Sequence, residues 1–265
     1  MDFFKRILAS SALPSPLEAT IQSVEPLPPS HPYYPLDANI FGYEPNERST
    51  LELVSQFGSG CVLILSITYF VTKRVRPHIP VSDLLTTMWF VLCGCMHLFF
   101  EGYVVYNFQR VAGMQGLFGE MWKEYALSDS RYLSRDPFVL CVETVTVVFF
   151  GPLSFITAGM VATGHPLRYP FQAIVSLGHL YSDTLYYLTS AYGHYYLNES
   201  YSRPEPRYFW GYFVGLNAFW IIVPAVLLYK SVFTCGRVFT AMAKIERTLN
   251  ASRAVEPAPR GPKSR

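Results

Sequence analysis

His97 and Glu101 stand four residues apart inside an apolar run, MWFVLCGCMHLFFEGYVVYNF. On a helix that spacing stacks both side chains on one face. A histidine beside a carboxylate is a proton-handling pair, in which each group tunes the proton affinity of the other. It can equally be a hydrogen-bonded pair that locks two helices together. Glu143 lies among Val142, Val145, Val147, Val148 and Phe149, with Thr146 one turn on. In such surroundings it needs a partner, either His97 or another donor. His179 and Asp183 repeat the four-residue spacing, with Tyr181 between them and Tyr186 and Tyr187 beyond. They read as a second proton pair or as the polar end of a helix. Asn217 and Trp220 share a face three residues apart. Asn217 can bond a buried carboxylate and Trp220 can offer a π-face to a cation, although packing alone accounts for both. Two carboxyl groups and a histidine can add a proton at one carbon and remove one elsewhere. Aromatic faces can stabilise the carbocation between those steps.

These residues fall in helices that the composition assigns to a bilayer. Hydrophobic residues make up 51% of the 265, aromatic residues 16% and charged residues 15%. Soluble domains carry about 25% charged residues. Five windows have the ~20 mostly apolar residues that a membrane-crossing helix requires: 51–72, 81–108, 138–163, 167–190 and 208–233. The fourth is the most polar. The expected fold is an all-α, five-helix membrane bundle with an intramembrane cavity. Ionisable residues in such helices face the bundle interior and usually act there.

The first 50 residues hold eight of the 20 prolines and no long apolar run. They read as an irregular arm, in which Phe3, Phe4, Ile7 and Leu8 beside Lys5 and Arg6 could touch a membrane surface. The membrane domain spans 51–234, and residues 235–265 form a basic tail. Lys73, Arg74 and Arg76 follow the first window without an acid, and the tail carries seven bases against two acids. The connection after the second window balances Arg110, Lys123, Arg131 and Arg135 against Glu120, Glu124, Asp129 and Asp136. The positive-inside rule therefore sets the tail in the cytosol and the N-terminus in the lumen or outside. Of the sequons at Asn198 and Asn250, only Asn198 is then open to glycosylation.

Several classes are excluded or disfavoured. A net charge of +2 gives no reason to expect nucleic acid as a partner. Cys61, Cys93, Cys95, Cys141 and Cys235 sit in or beside apolar blocks as small hydrophobes. His-x3-Glu is not the two-histidine zinc pattern. Nothing points to a metal, nucleotide or redox cofactor. Gly58 and Gly60 permit helix packing, and with it a homodimer.

In order along the chain stand HPYYP near His31, CGCMHLFFEG around His97, WKEYALSDSRY from Trp122, CVETVTVVFFGPLS around Glu143, HPLR at His165, LGHLYSDTLYYLT around Asp183 and YFWGYFVGLNAFWIIVP from Tyr208. Through these the chain resembles the emopamil-binding protein family, the sterol Δ8–Δ7 isomerases of the EXPERA superfamily, whose part here is about 81–234. The resemblance implies a five-helix protein of the endoplasmic reticulum that moves a sterol ring double bond without a cofactor. A proton is delivered to C9, a cation forms at C8, and a proton leaves C7. Carried over by motif, His97, Glu101 and Glu143 are the proton-handling groups. Thr146, Asn217 and Trp220 support the site, and Tyr125, Arg131 and Tyr132 belong to the loop that lines or closes it. Asp183 joins them as a substrate-side residue. Cationic amphiphiles are implied inhibitors, because an ammonium mimics the carbocation.

The chain departs from the family in the fourth helix, where Gln-x-Tyr-Gly-Asp is replaced by His179-Leu180-Tyr181-Ser182-Asp183. The 191–207 loop and the arm also diverge. These departures bear on the substrate, a sterol or another polycyclic isoprenoid, more than on the reaction class. A non-catalytic sterol- or lipid-binding protein is the main alternative reading. A proton-coupled carrier would use the same ionisable residues but would show repeat symmetry or broken helices in both halves.

Overall fold

A computed structural model describes residues 31–255, and the elements among them are all helical. The first 30 residues, with Phe3, Phe4, Lys5, Arg6, Ile7 and Leu8, lie outside the described residues, as do Glu256, Arg260, Lys263 and Arg265. Residues 31–49 run without helix. Then follow α1 (Thr50–Val75), α2 (Val81–Asn107), the short α3 (Leu117–Tyr125), α4 (Pro137–Thr163), α5 (Arg168–Tyr192) and α6 (Arg207–Ser252). Helices α1, α2, α4 and α6 are each long and apolar enough to cross a membrane, which fits a multi-pass membrane protein. The fifth window is α5. Its 25 residues are enough to span, but its Gln172, Ser176, His179 and Asp183 keep it out of that apolar set. The boundary expected at residue 235 does not mark a helix end, because helix continues to Val255.

Local signals set the helix ends. Ser49 and Glu52 form a reciprocal capping box at the start of α1. Asp136 accepts from Val139 N at 2.9 Å, with Pro137 in the first turn of α4. Gly164, at φ 72°, closes α4 in the left-handed conformation that glycine adopts without strain. At this end Asp83 of α2 receives Arg168 at 2.7 Å and Arg76 at 3.7 Å. The three short-loop junctions thus meet at one carboxylate.

The opposite end carries the long connection between α2 and α4. It is tied to the α5–α6 connection through Ser130 N to Tyr201 O and Arg203 N to Leu127 O, both 3.0 Å. Glu120 of α3 fastens the 31–49 segment to it. Its carboxylate accepts from Glu47 N at 2.9 Å, from Arg48 N at 3.3 Å and from the Arg48 guanidinium at 2.9 Å. Burial pushes this carboxyl up, but those donors overcome it and hold the group below the usual carboxylate range.

Tyr33, Trp122, Tyr132, Tyr186 and Phe213 build an aromatic core beneath the long connection, and Phe90, Ala158, Val175 and Leu227 build a second towards the other end. The outward faces carry large exposed apolar side chains, among them Leu63, Ile67 and Phe70 of α1 and Ile222, Val226 and Tyr229 of α6. Apolar surface on this scale marks contact with lipid or protein.

Two helices widen at the same level. Met96–Glu101 in α2 and Thr146–Phe150 in α4 are π-helical, with Gly102 N bonding to His97 O and Gly151 N to Thr146 O. Such turns are uncommon and recur at functional sites. The kink expected at Gly151-Pro152 is realised as this wide turn just before it. Gly178 of α5 admits the Phe150 ring so closely that an added Cβ would collide with it.

Candidate active site

The wide turns and α5 enclose a cavity of about 330 Å³. His97 Nδ1 lies 2.8 Å from Glu101 Oε2, so the four-residue pair forms. His97 Nε2 lies 3.0 Å from His179 Nε2. From the other side Glu143 enters, buried, and accepts from the Tyr132 hydroxyl at 2.6 Å. The Glu101 and Glu143 carboxyls are themselves within hydrogen-bonding reach. Glu143 thus has Tyr132 and Glu101 as partners, and His97 is not one of them.

His97, Glu101, Glu143, Thr146, Asp183, Asn217, Trp220, Tyr125 and Tyr132 all line the cavity. Arg131 does not. It is buried behind the wall, where its guanidinium pairs with Asp129 at 2.6 Å and bonds to Thr189 Oγ1 at 2.8 Å. Burial opposes its charge, but the Asp129 carboxylate more than offsets this and holds Arg131 above its ordinary value. Its role here is to clamp the connection onto α5. Thr146 turns its hydroxyl back to Val142 O at 2.9 Å.

Two pairings differ from the sequence expectation. Asn217 Nδ2 donates to the Tyr125 hydroxyl at 3.0 Å and to Phe213 O at 2.7 Å, and no carboxylate is among its partners. His179 bonds to His97 and not to Asp183, so the second proton pair does not form. Asp183 Oδ2 is buried with no hydrogen-bonding partner among the described residues.

Aromatic rings supply much of the wall. Phe100 stacks on Trp122 at 4.6 Å, Trp122 meets Tyr132 at 4.7 Å, and Trp89 meets Trp220 at 5.4 Å. Burial pushes the phenols of Tyr125 and Tyr132 up, so both remain O–H donors. Trp89, Trp122, Met96, Ser182, Tyr186, Phe57 and Cys61 line the cavity without having been singled out from the sequence. Trp89 lies eight residues before His97, two α-turns away, which was a readable signal. Phe57 and Cys61 of α1 gave none. Trp89 Nε1, Trp220 Nε1 and His179 Nδ1 are also buried and without a partner among the described residues. Unsatisfied polar atoms around one cavity point to a ligand or water.

Cys93, His97 and His179 are the set among the described residues whose donor atoms, all within 4.8 Å, are spaced for a metal. The direct bond between the two Nε2 atoms already occupies the two nitrogens such an ion would need. We therefore read the thiol as packing.

Fold and site together define a helical, membrane-type protein built around a buried acid–base cluster. The family model for EBP, EXPERA (EXPanded EBP superfamily), matches residues 117–231. A 3-beta-hydroxysteroid-Δ8,Δ7-isomerase of Cavia porcellus is 35% identical over 77% of this chain and 88% of its own length. That of Rattus norvegicus is 34% identical over the same shares. Isomeliandiol synthase of Melia azedarach is 30% identical over 77% of this chain and 92% of its own. The chain belongs to the EXPERA superfamily.

Proposed function

We propose that the protein is a cofactor-independent sterol Δ8–Δ7 isomerase of the endoplasmic reticulum membrane. Five helices span the bilayer in this reading, α5 being shielded by its neighbours, and the cavity opens to substrate arriving from lipid. Its volume lies within the ~300–1,000 Å³ of small-molecule sites. The relatives' names support the activity. Within the chain, the observation that carries it is the facing of Glu101 and Glu143 across one cavity, each with its own second partner.

Two carboxyls hydrogen bond to one another only when one bears a proton. The site can therefore hold one acid and one base at once, as an allylic double-bond shift requires. The protonated member delivers its proton to C9, and the π electrons of the C8–C9 bond form the new C9–H bond. The cation left at C8 lies among aromatic faces, Trp122 and Trp220 included. The ionised member removes the C7 proton, and the C7–H electrons close the C7–C8 bond. His97 steadies Glu101, and Tyr132 steadies Glu143. Asn217, through Tyr125, fixes α6 against the connection, and Thr146 and Asp183 complete the wall.

Incubation of the purified protein with a panel of Δ8 sterols in deuterated water tests this. Δ7 product carrying deuterium at C9 is expected. No turnover across the panel removes the reading in favour of a binding protein. Another polycyclic isoprenoid is the second substrate class, favoured by the likeness to isomeliandiol synthase and by His179 in the wall, and the same assay extends to it. The N-terminus is lumenal and the tail cytosolic, so sugar is expected only on Asn198, exposed after α5. Sugar on Asn250 would reverse the orientation.

A further inference from the structure

His179 is buried in the cavity wall, yet the proposed chemistry leaves it without a task. Its Nε2 is 3.0 Å from His97 Nε2, and a bond between two ring nitrogens holds one proton. His97 Nδ1 is engaged by Glu101 at 2.8 Å. Both nitrogens of His97 are therefore committed, and the three residues can share protons in only two neutral-ring arrangements. In one, ionised Glu101 accepts Nδ1–H of His97, the bare His97 Nε2 accepts from His179 Nε2–H, and His179 Nδ1 keeps its lone pair. In the other, the Glu101 carboxyl donates to His97 Nδ1, His97 Nε2–H donates to His179, and His179 Nδ1 carries the proton. The protonation of Glu101 and the tautomers of both rings change together.

We propose that His179 is a positioning and relay residue, which sets the tautomer of His97 and links Glu101 to water in the cavity. Passing from the second arrangement to the first breaks Glu101 O–H, His97 Nε2–H and His179 Nδ1–H. It forms His97 Nδ1–H, His179 Nε2–H and a bond to a water molecule that takes the last proton. The open end of this wire is His179 Nδ1, buried in the wall without a partner among the described residues. Without the wire, the proton taken from C7 returns to C9 through the Glu101–Glu143 contact. With it, the delivered proton exchanges with solvent between turnovers.

The kinetic part rests on the isomerase reading, so the test has two arms. In deuterated water, His179→Gln keeps a donor and an acceptor and retains kcat within a few-fold, but its product carries less deuterium at C9. His179→Leu removes the bond and lowers kcat by about tenfold with KM little changed, the scale of one lost hydrogen bond. Wild-type deuterium content in both variants overturns the relay, and wild-type kcat in His179→Leu overturns the positioning role. The second arm needs no substrate: 15N-histidine NMR of the full chain in detergent follows the His97 ring nitrogens. Their signals are expected to move in His179→Leu and to stay near wild type in His179→Gln. Unmoved signals in His179→Leu overturn the proposal. Moved signals in a protein that turns over no Δ8 sterol support the tautomer link and remove the isomerase reading alone.

Discussion

Tyr132, from the connection between α2 and α4, donates its hydroxyl to Glu143 of α4 at 2.6 Å. A residue outside the long helices thereby fixes a carboxyl buried among them. Tyr132→Phe removes that donor and leaves Glu143 in place. A hydrogen bond to a charged group contributes about 1.5–3 kcal/mol, so turnover is expected to fall roughly 10- to 100-fold. Glu101→Gln and Glu143→Gln are each expected to lower it by about 10² or more while the protein stays folded. Sterol conversion followed by mass spectrometry checks all three. Wild-type activity in any variant removes that residue from the mechanism.

Arg131 acts on stability. Its pair with Asp129 is buried, and removing one partner strands the other charge. Arg131→Met is expected to cost about 3–5 kcal/mol, seen as a lower thermal midpoint in detergent. Lysine cannot replace the forked contacts to Asp129 and Thr189, so Arg131→Lys should rescue only part of the loss. An unchanged midpoint in both variants would show that the clamp is dispensable.

Trp220 is expected to serve cations. Its ring lies with that of Trp89 on the cavity wall. A cation over a desolvated indole gains about 2 kcal/mol. Trp220→Leu should therefore weaken binding of a tertiary-amine amphiphile by roughly 30-fold, and weaken an uncharged isostere much less. Equal losses for both ligands would assign the ring to shape alone.

Glu120 makes the 31–49 segment sensitive to acid. Its folded value is lowered by the Glu47 and Arg48 donors against the upward push of burial. The stabilisation is thus complete above the unfolded carboxylate value of about 4.3. It is lost as pH falls through the lower folded value. Hydrogen exchange at the Glu47 and Arg48 amides should accelerate over that acid range, and Glu120→Gln should show faster exchange already at neutral pH. Protection that stays flat on acidification would argue against the clamp.

The sequence disclosed those parts of the site that follow helix periodicity. His97 and Glu101 pair because four residues make about one turn, and the geometry of that pair needs nothing from elsewhere. His179 also sits four residues from a carboxylate, but its actual partner is a histidine 82 positions away, and no local rule ranks one over the other. Asn217 found Tyr125, 92 positions distant, for the same reason. Arg131 carried a motif but no sign of direction, and it faces Asp129 and α5. Helix α1 was legible as an apolar span, yet nothing in Phe57 or Cys61 marked them as wall, since they differ in no chemical respect from lipid-facing neighbours. The wide turns left no compositional trace either, because MHLFFE and TVVFF would serve equally well in a regular helix.

Those turns carry an implication about how such a site is made and unmade. A π-turn accommodates one residue more than the α-register it interrupts. Deleting a single residue from 96–101 would restore a regular helix but swing all that follows by about 100°. The second half of α2 would then present Val104 and Val105, now buried, along a new bearing. The pocket is in this sense a phase defect shared by two rods, and a lineage could gain or erase it by one codon in each without altering a single catalytic side chain.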